Sequence, residues 1–185
     1  MPAPVPKEHP LRRLFGSLVH RTFAGTLGLS NEHVADYIAN LLADFIHVDN
    51  IHKIRDARGK PLDEVAEMLM EGDVRLRANS FSREREVHKH IGDFTLFWTG
   101  VYPEALRYLR APDRKDHLLD YISRGKESYY VASTFDYGRY QEEARILRRL
   151  SASFELCAFG LNLVRREWER LGDPSSSTAR QVLLE

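Results

Sequence analysis

The sequence has almost no cysteine and no excess of charge of either sign. Its one cysteine, Cys157, cannot form an internal disulfide and has no Cys-x-x-Cys partner, which argues against a disulfide scaffold and a zinc ribbon. The 27 Lys and Arg residues equal the 27 Asp and Glu residues, so no net positive field would hold a nucleic acid or an anionic membrane. We therefore expect neither partner, and we expect Cys157 to be a buried core residue.

Long apolar runs and familiar catalytic motifs are also missing. The longest strongly apolar stretch, Phe94 to Tyr102, is far shorter than the ~20 residues of a membrane span. The proline-rich N-terminus lacks the basic-then-apolar order of a signal peptide, so we expect a cytoplasmic protein. There is no P-loop, no Gly-x-Gly-x-x-Gly after a strand, no Gly-x-Ser-x-Gly elbow and no His-Glu-x-x-His. Motifs therefore support no common nucleotide-binding, hydrolase or zinc-protease function.

The chain does have apolar residues at helical spacing over most of its 185 residues. Stripes that step by three and four predict three long helices, over about 31–55, from Ser82 onward, and over about 139–171. The second of these should kink or break between Gly100 and Pro103, because proline removes a backbone donor and clashes one turn back. Shorter helices are predicted near 11–23, 61–72 and 113–129, and no segment shows sustained period-two alternation.

These patterns predict an all-α bundle of five or six mostly antiparallel helices. A chain of 185 residues with 43% hydrophobic content suits a single domain with one packed core. We expect that domain to cover residues 11–172, between a flexible N-terminal arm (1–10) and a flexible serine-rich tail (173–185).

Histidines with a carboxylate three or four positions away are the most unusual feature of the sequence, which has eight histidines. On the first long helix, His52 falls in line with the apolar stripe, and Asp49 stands three residues before it. On the second, Glu86, His90 and Asp93 share one face at spacings of four and three. These two helices would bring five possible ligands to the bundle interior.

A third helix adds His117 with Asp120 three residues later, and facing imidazole and carboxylate groups can bind iron, manganese or zinc. A metal-dependent enzyme, in particular an oxidoreductase, is therefore one hypothesis. Its ligands would be His52 and His90, with Asp49, Glu86 and Asp93 as further ligands or orienting groups and His117 as a weaker candidate. Chance pairing of eight histidines with 27 acidic residues is the competing explanation.

The leading hypothesis is that the protein acts by binding another protein or a small molecule. No residue pattern in the sequence requires a catalytic activity. We expect a homo-oligomer, with a dimer favoured, whose interface would be rich in the aromatic residues around the helix break. The same aromatic group could instead form core or line a ligand pocket at Gly100–Pro103; it comprises Phe94, Phe97, Trp98, Tyr102 and Tyr108. The arginines of the last predicted helix are interleaved with glutamates, which favours a solvated face of ion pairs over a phosphate site.

Overall fold

The computed structural model describes residues 10–172. The predicted arm and tail lie outside this range, apart from Pro10, which begins the first helix. The described part of the chain forms nine α-helices and contains no β-strand, so the all-α bundle is confirmed, although the helices number more than five or six. Among these residues, no helix combines the length and hydrophobicity that a membrane crossing requires.

The helices follow in chain order with short connections. They are α1 (Pro10–His20), α2 (Glu32–Phe45), α3 (Val48–Ile51), α4 (Val65–Gly72), α5 (Phe81–Gly100), α6 (Leu106–Leu109), α7 (Tyr121–Ser133), α8 (Gln141–Ala152) and α9 (Phe154–Arg170). A π-helical turn, Arg21–Thr26, extends α1, and 3₁₀ turns precede α6 and α8 at Pro103–Ala105 and Gly138–Tyr140.

The helix predicted over 31–55 is shorter than expected. It begins as predicted, with the Asn31 side chain accepting a hydrogen bond from the Val34 amide at 3.0 Å. It ends at Phe45, because His47 is extended and the chain then turns into the single turn of α3. The Asn50 side chain donates to the Asp44 carbonyl at 2.8 Å and so satisfies a backbone acceptor that the helix end leaves free.

The helix predicted over 139–171 is divided into α8 and α9 at Ser153. Ser153 leaves the helical conformation, with φ −115° and ψ 26°. The break lets α8 pack against α7 while α9 packs against α5 and α1, which one straight helix could not do. No glycine or proline marks this position in the sequence.

The central helix α5 packs most extensively against α7. Two glycines allow the close approach: a Cβ added to Gly92 would lie 2.4 Å from the Tyr129 ring, and one added to Gly125 would lie 2.3 Å from the Thr95 hydroxyl. Helix α5 begins at Phe81, one residue before the predicted start at Ser82, and Ser80 caps it. It ends at Gly100, where the predicted Gly100–Pro103 interruption begins.

Helix α4 receives its N-terminal cap from a residue distant in sequence. The buried carboxylate of Asp116 accepts hydrogen bonds from the Val65 and Ala66 amides, both at 2.8 Å, and from the Tyr121 hydroxyl at 2.6 Å. Asp116 falls near the start of the helix predicted over 113–129. That helix, α7, instead begins at Tyr121, and Asp120 caps it.

The aromatic group around the end of α5 forms core. Phe94, Phe97, Trp98 and Tyr102 are each at most 4% exposed, whereas Tyr108 is 60% exposed. The expectation that this group dominates a subunit interface is therefore wrong, because its surface is already covered within one chain. The cavity beside it, near Val101 and Tyr102, measures about 20 Å³, room for about one water and too little for a ligand.

Candidate functional site

A polar cleft of about 400 Å³ opens between α2, α5 and the α3–α4 connection. This volume lies within the range of small-molecule sites, roughly 300–1,000 Å³. Its walls combine aromatic and aliphatic surface with charged and amide groups: Tyr37, Asn40, Leu41, Asp44, Phe45, Asn50, Lys53, Lys89, Asp93 and Glu143. We call this the α2–α5 cleft.

Asp93 stands at the base of the cleft and is 3% exposed. Three helices supply its partners. The Tyr37 hydroxyl of α2 and the Tyr129 hydroxyl of α7 both donate to its Oδ1, at 2.6 and 2.9 Å. The Lys89 ammonium, one turn earlier on α5, donates to Oδ2 at 3.1 Å. A buried carboxylate with these three partners is fully hydrogen-bonded and rigidly held.

The charges of this network are fixed near neutral pH. Burial alone would raise the pKa of Asp93, but the Lys89 and Lys53 ammonium groups and the Tyr37 hydrogen bond outweigh it and lower that pKa. Burial and the Asp93 charge raise the pKa values of both tyrosines well above their usual value. Burial opposes the charge of Lys89, yet Asp93 and Glu143 raise its pKa. Asp93 and Lys89 therefore stay charged and the tyrosines stay protonated.

The direction of the pKa shifts of Asp93, Lys89 and the two tyrosines decides whether these groups can exchange protons near neutral pH. A general acid or base works best with a pKa near the operating pH. The Asp93, Lys89 and tyrosine shifts all move away from neutrality. The network therefore fixes polar groups in place rather than holding a proton ready to transfer.

Hydrogen bonds to Arg12 and to the Asp44 carbonyl orient the polar side chains at the rim of the cleft. The guanidinium of Arg12 on α1 donates to the Asn40 amide oxygen and to Asp44 Oδ1, both at 2.6 Å. Since the amide oxygen of Asn40 is engaged, its NH₂ group remains for a ligand. Asn50 uses its NH₂ group on the Asp44 carbonyl, so its amide oxygen remains as an acceptor.

Lys53 is the cation without a partner in this cleft. Its side chain is exposed at the mouth and, within residues 10–172, it makes no hydrogen bond or ion pair. Partial burial, the largest effect, and the Lys89 charge lower the pKa of Lys53, against the nearby charges of Asp93 and Asp44, which raise it. By contrast, Lys89 is already paired with Asp93 and approaches Glu143 at 3.8 Å.

The cleft and its supporting arginines carry one positive charge in excess. Asp44 is neutralised by Arg12, and Glu143 is neutralised by Arg85 of α5. Asp93 is neutralised by Lys89, which leaves the Lys53 ammonium. A single anionic group on a ligand would balance it.

Two of the predicted metal ligands belong to or border this cleft. Asp93 is at its base, bound as described, and His90 lies behind it, fully buried between the Phe45 and Phe94 rings. The His90 Nε2 contacts the Ile51 carbonyl at 2.9 Å, and its Nδ1 is buried without a hydrogen-bond partner. Burial, together with Lys53, lowers the pKa of His90 to about 3, so the ring is neutral.

The other predicted ligands lie elsewhere. Asp49 is exposed, and Glu86 is exposed and accepts a hydrogen bond from Arg83 at 3.2 Å. His117 is exposed, with its Nδ1 3.0 Å from the Arg114 carbonyl. The expectation that His52 faces the core at the end of the first long helix is wrong, because that helix stops at Phe45.

His52 instead caps α3 at its C-terminal end and is half-buried beside Asp63. Burial is the main cause that lowers its pKa, against a hydrogen bond with the Leu62 backbone. No three of the six predicted ligands bring their ligand atoms within 4.8 Å of one another. Metal binding itself stays an untested prediction.

One other acidic group in the described range does meet this distance: Asp63, Glu64 and Glu67 on and before α4. Its carboxylates already have basic partners. Arg114 donates to Asp63 at 2.8 Å, and Lys115 pairs with Glu67. The group is an ion-pair cluster that joins α4 to the 111–120 segment.

Sequence reasoning found Asp93 but missed Lys53, Lys89 and Tyr37. One signal was present, since Lys89 and Asp93 stand at i and i+4, a spacing that favours an ion pair on a helix. Tyr37 and Lys53 reach the cleft through tertiary packing, for which no local spacing gives evidence. Comparison of the chain with protein-family models, curated proteins and solved structures finds no match.

Proposed function

We propose that the protein acts by binding a small molecule with a carboxylate group in the α2–α5 cleft. The observation that carries the proposal is the unpaired Lys53 ammonium at a cleft of about 400 Å³ whose other charges are neutralised. A ligand carboxylate would pair with Lys53, and the free NH₂ group of Asn40 offers it a second donor. The Leu41 and Phe45 side chains provide apolar surface for the rest of the molecule.

The cleft also offers acceptors, which favours a ligand with a donor group besides its carboxylate. The Asn50 amide oxygen and the second carboxylate oxygen of Asp44 remain for such a donor. Groups that are preorganised by Arg12 and by the Asp93 network need little further ordering when a ligand arrives, which preserves affinity.

The test is an NMR titration with succinate and glutamate as probes, following the side-chain amides of Asn40 and Asn50. We expect both to shift on binding. Lys53→Gln should weaken binding about tenfold, since one charge-assisted hydrogen bond contributes about 1.5 kcal/mol or more. The matched control is Lys60→Gln, which changes another exposed lysine without a side-chain partner in the described range. Equal affinities for wild type and Lys53→Gln would contradict the proposal.

A cytoplasmic homodimer remains part of the proposal. With the aromatic end of α5 buried, the support for a second copy is the outer face of α9, where Leu156 and Phe159 are 39% and 55% exposed at a spacing of three. Light scattering should give twice the 21.4 kDa chain mass, and Phe159→Glu should return it to one chain. A wild-type protein of single-chain mass at high concentration would refute the dimer.

The metal-dependent enzyme is the hypothesis with less support, because the predicted ligands do not converge. Elemental analysis of untagged protein purified without chelators tests it directly. Stoichiometric iron, manganese or zinc that His90→Gln removes would favour that hypothesis over simple ligand binding.

A further inference from the structure

A second cleft, of about 290 Å³, lies between the start of α2 and the outer face of α8. It is lined by Asn31, His33, Glu142, Arg145, Ile146 and Arg149. None of these residues lines the α2–α5 cleft. We call it the α2–α8 cleft.

The two arginines of this cleft lack the ion pairs that the interleaved sequence favours. On α9 those pairs form, for example Arg165 with Glu169 at 2.9 Å and Arg170 with Glu167 at 2.8 Å. On α8 they do not, because Glu143 turns toward α5 and pairs there with Arg85.

Within residues 10–172, the side chains of Arg145 and Arg149 make no hydrogen bond or ion pair, and neither does the side chain of Glu142. Their neighbour Arg148 is different, since its guanidinium lies over the Tyr130 ring at 5.6 Å. Arg145 and Arg149 are four residues apart, so both project on one helix face into the same cleft. Two cations at this spacing repel each other, and the one carboxylate in the cleft, that of Glu142, leaves a positive charge in excess for an anionic ligand.

A small pocket of about 70 Å³ adjoins this cleft and shares Asn31 and Arg149 with it. Its other lining residues are mostly apolar: Phe23, Leu29, Val34, Ser153 and Cys157. The volume is about five times what one water needs, enough for a short hydrocarbon group. An anion held by the arginines could therefore carry an apolar substituent into this pocket.

We propose that the α2–α8 cleft binds a small phosphomonoester whose organic group is short and apolar. The phosphate lies between Arg145 and Arg149, whose planar guanidinium groups suit two-point contacts with its oxygens. The organic group enters the adjoining pocket past Arg149, against Leu29 and Val34. This site is independent of the carboxylate-binding cleft, and its ligand differs in charge and in shape.

The experiment compares inorganic phosphate with n-butyl phosphate by NMR, at an ionic strength held constant with sodium chloride. Both should shift the backbone amides of Asn31, His33 and Ile146, and chloride alone should not. Butyl phosphate should bind more tightly, by about fourfold for each methylene that becomes buried. Shifts of equal size in chloride, or shifts scattered over the surface, would overturn the site.

Variants decide which residues bind the phosphate. Arg145→Gln and Arg149→Gln should each weaken butyl phosphate binding at least tenfold, while Arg166→Gln, an exposed arginine on α9, should leave it unchanged. The two variants change exposed side chains, so circular dichroism should show an intact fold. Unchanged affinity in both variants would overturn the proposal.

Two further outcomes would refute the ligand class. Equal affinity for inorganic and butyl phosphate would show that the apolar pocket takes no part. Tighter binding of a single-stranded oligonucleotide, lost in the same variants, would assign the arginines to nucleic acid instead.

Discussion

The histidine at the centre of the bundle should make the protein sensitive to acid. His90 is 0% exposed, and its pKa falls from 6.5 to about 3 on folding, chiefly through burial. The nearby Lys53 and Lys89 ammonium groups add to this effect, and Asp93 opposes it. Below pH 6.5 the unfolded chain therefore takes up a proton that the folded chain does not, which favours unfolding.

The size of this destabilisation follows from the shift in the pKa of His90. Each pKa unit corresponds to about 1.4 kcal/mol of unfolding free energy. The full shift of the His90 pKa, from 6.5 to about 3, therefore corresponds to about 5 kcal/mol. This contribution is fully present above the unfolded pKa and is lost as the pH falls toward the folded value. Between pH 6.5 and pH 4.5 the loss from this one group is about 2 kcal/mol. Carboxylates whose pKa values folding lowers, such as Asp93, add a smaller loss that begins near the low end of this window.

The assay is urea unfolding of wild type and His90→Gln at both pH values. Glutamine keeps an amide donor for the Ile51 carbonyl, which the His90 Nε2 contacts at 2.9 Å, but it does not titrate. We expect the variant to be less stable at pH 6.5, and to lose about 2 kcal/mol less than wild type on acidification. His52 and His88, whose pKa values burial also lowers, contribute equally to both proteins. The same pH dependence in both would refute the reasoning.

Four further substitutions test the packing and capping of the helices, each by urea unfolding. Asp93→Asn should cost about 2–3 kcal/mol, because it removes a buried charge that a lysine and two tyrosines contact; a loss below 1 kcal/mol would contradict this. Gly92→Ala should destabilise the protein by about 1–2 kcal/mol, because the clash of a Cβ 2.4 Å from the Tyr129 ring costs more than the gain in helix propensity. In the control Gly16→Ala, the added Cβ has nothing within 4 Å, so the substitution should stabilise the protein. Asp116→Ala should cost about 2–4 kcal/mol and speed amide exchange in the first turn of α4; unchanged exchange would contradict the capping role.

Helical periodicity was sufficient to predict the fold class and the position of the main interruption. The Gly100–Pro103 break has a local chemical cause that can be read from sequence. The breaks after Phe45 and at Ser153 have no such marker, because they depend on how α2 and α9 meet their neighbours. For this reason His52 was placed on the wrong face.

The candidate site was predicted only in part, and for a related reason. The sequence singles out Asp93 as a possible metal ligand, because it shares a helix face with His90 three residues before it. The tyrosine partners of Asp93 come from separate helices, since Tyr37 is 56 residues and Tyr129 is 36 residues away in the chain. Lys53 follows a turn that the periodicity did not reveal. Contacts at such separations carry no signal in a single sequence.

The hydrogen bonds from α4 to Asp116 constrain the order in which the parts of the chain can fold during synthesis. The amides of Val65 and Ala66 donate to an acceptor, Asp116, that is synthesised 51 and 50 residues later in the chain. An eight-residue helix is only marginally stable alone in water, so until that later segment leaves the ribosome α4 depends on its packing against α5 and lacks its N-terminal cap. On a translating ribosome, α1 and α2 can pair first, and the N-terminal cap of α4 forms only after Asp116 has emerged.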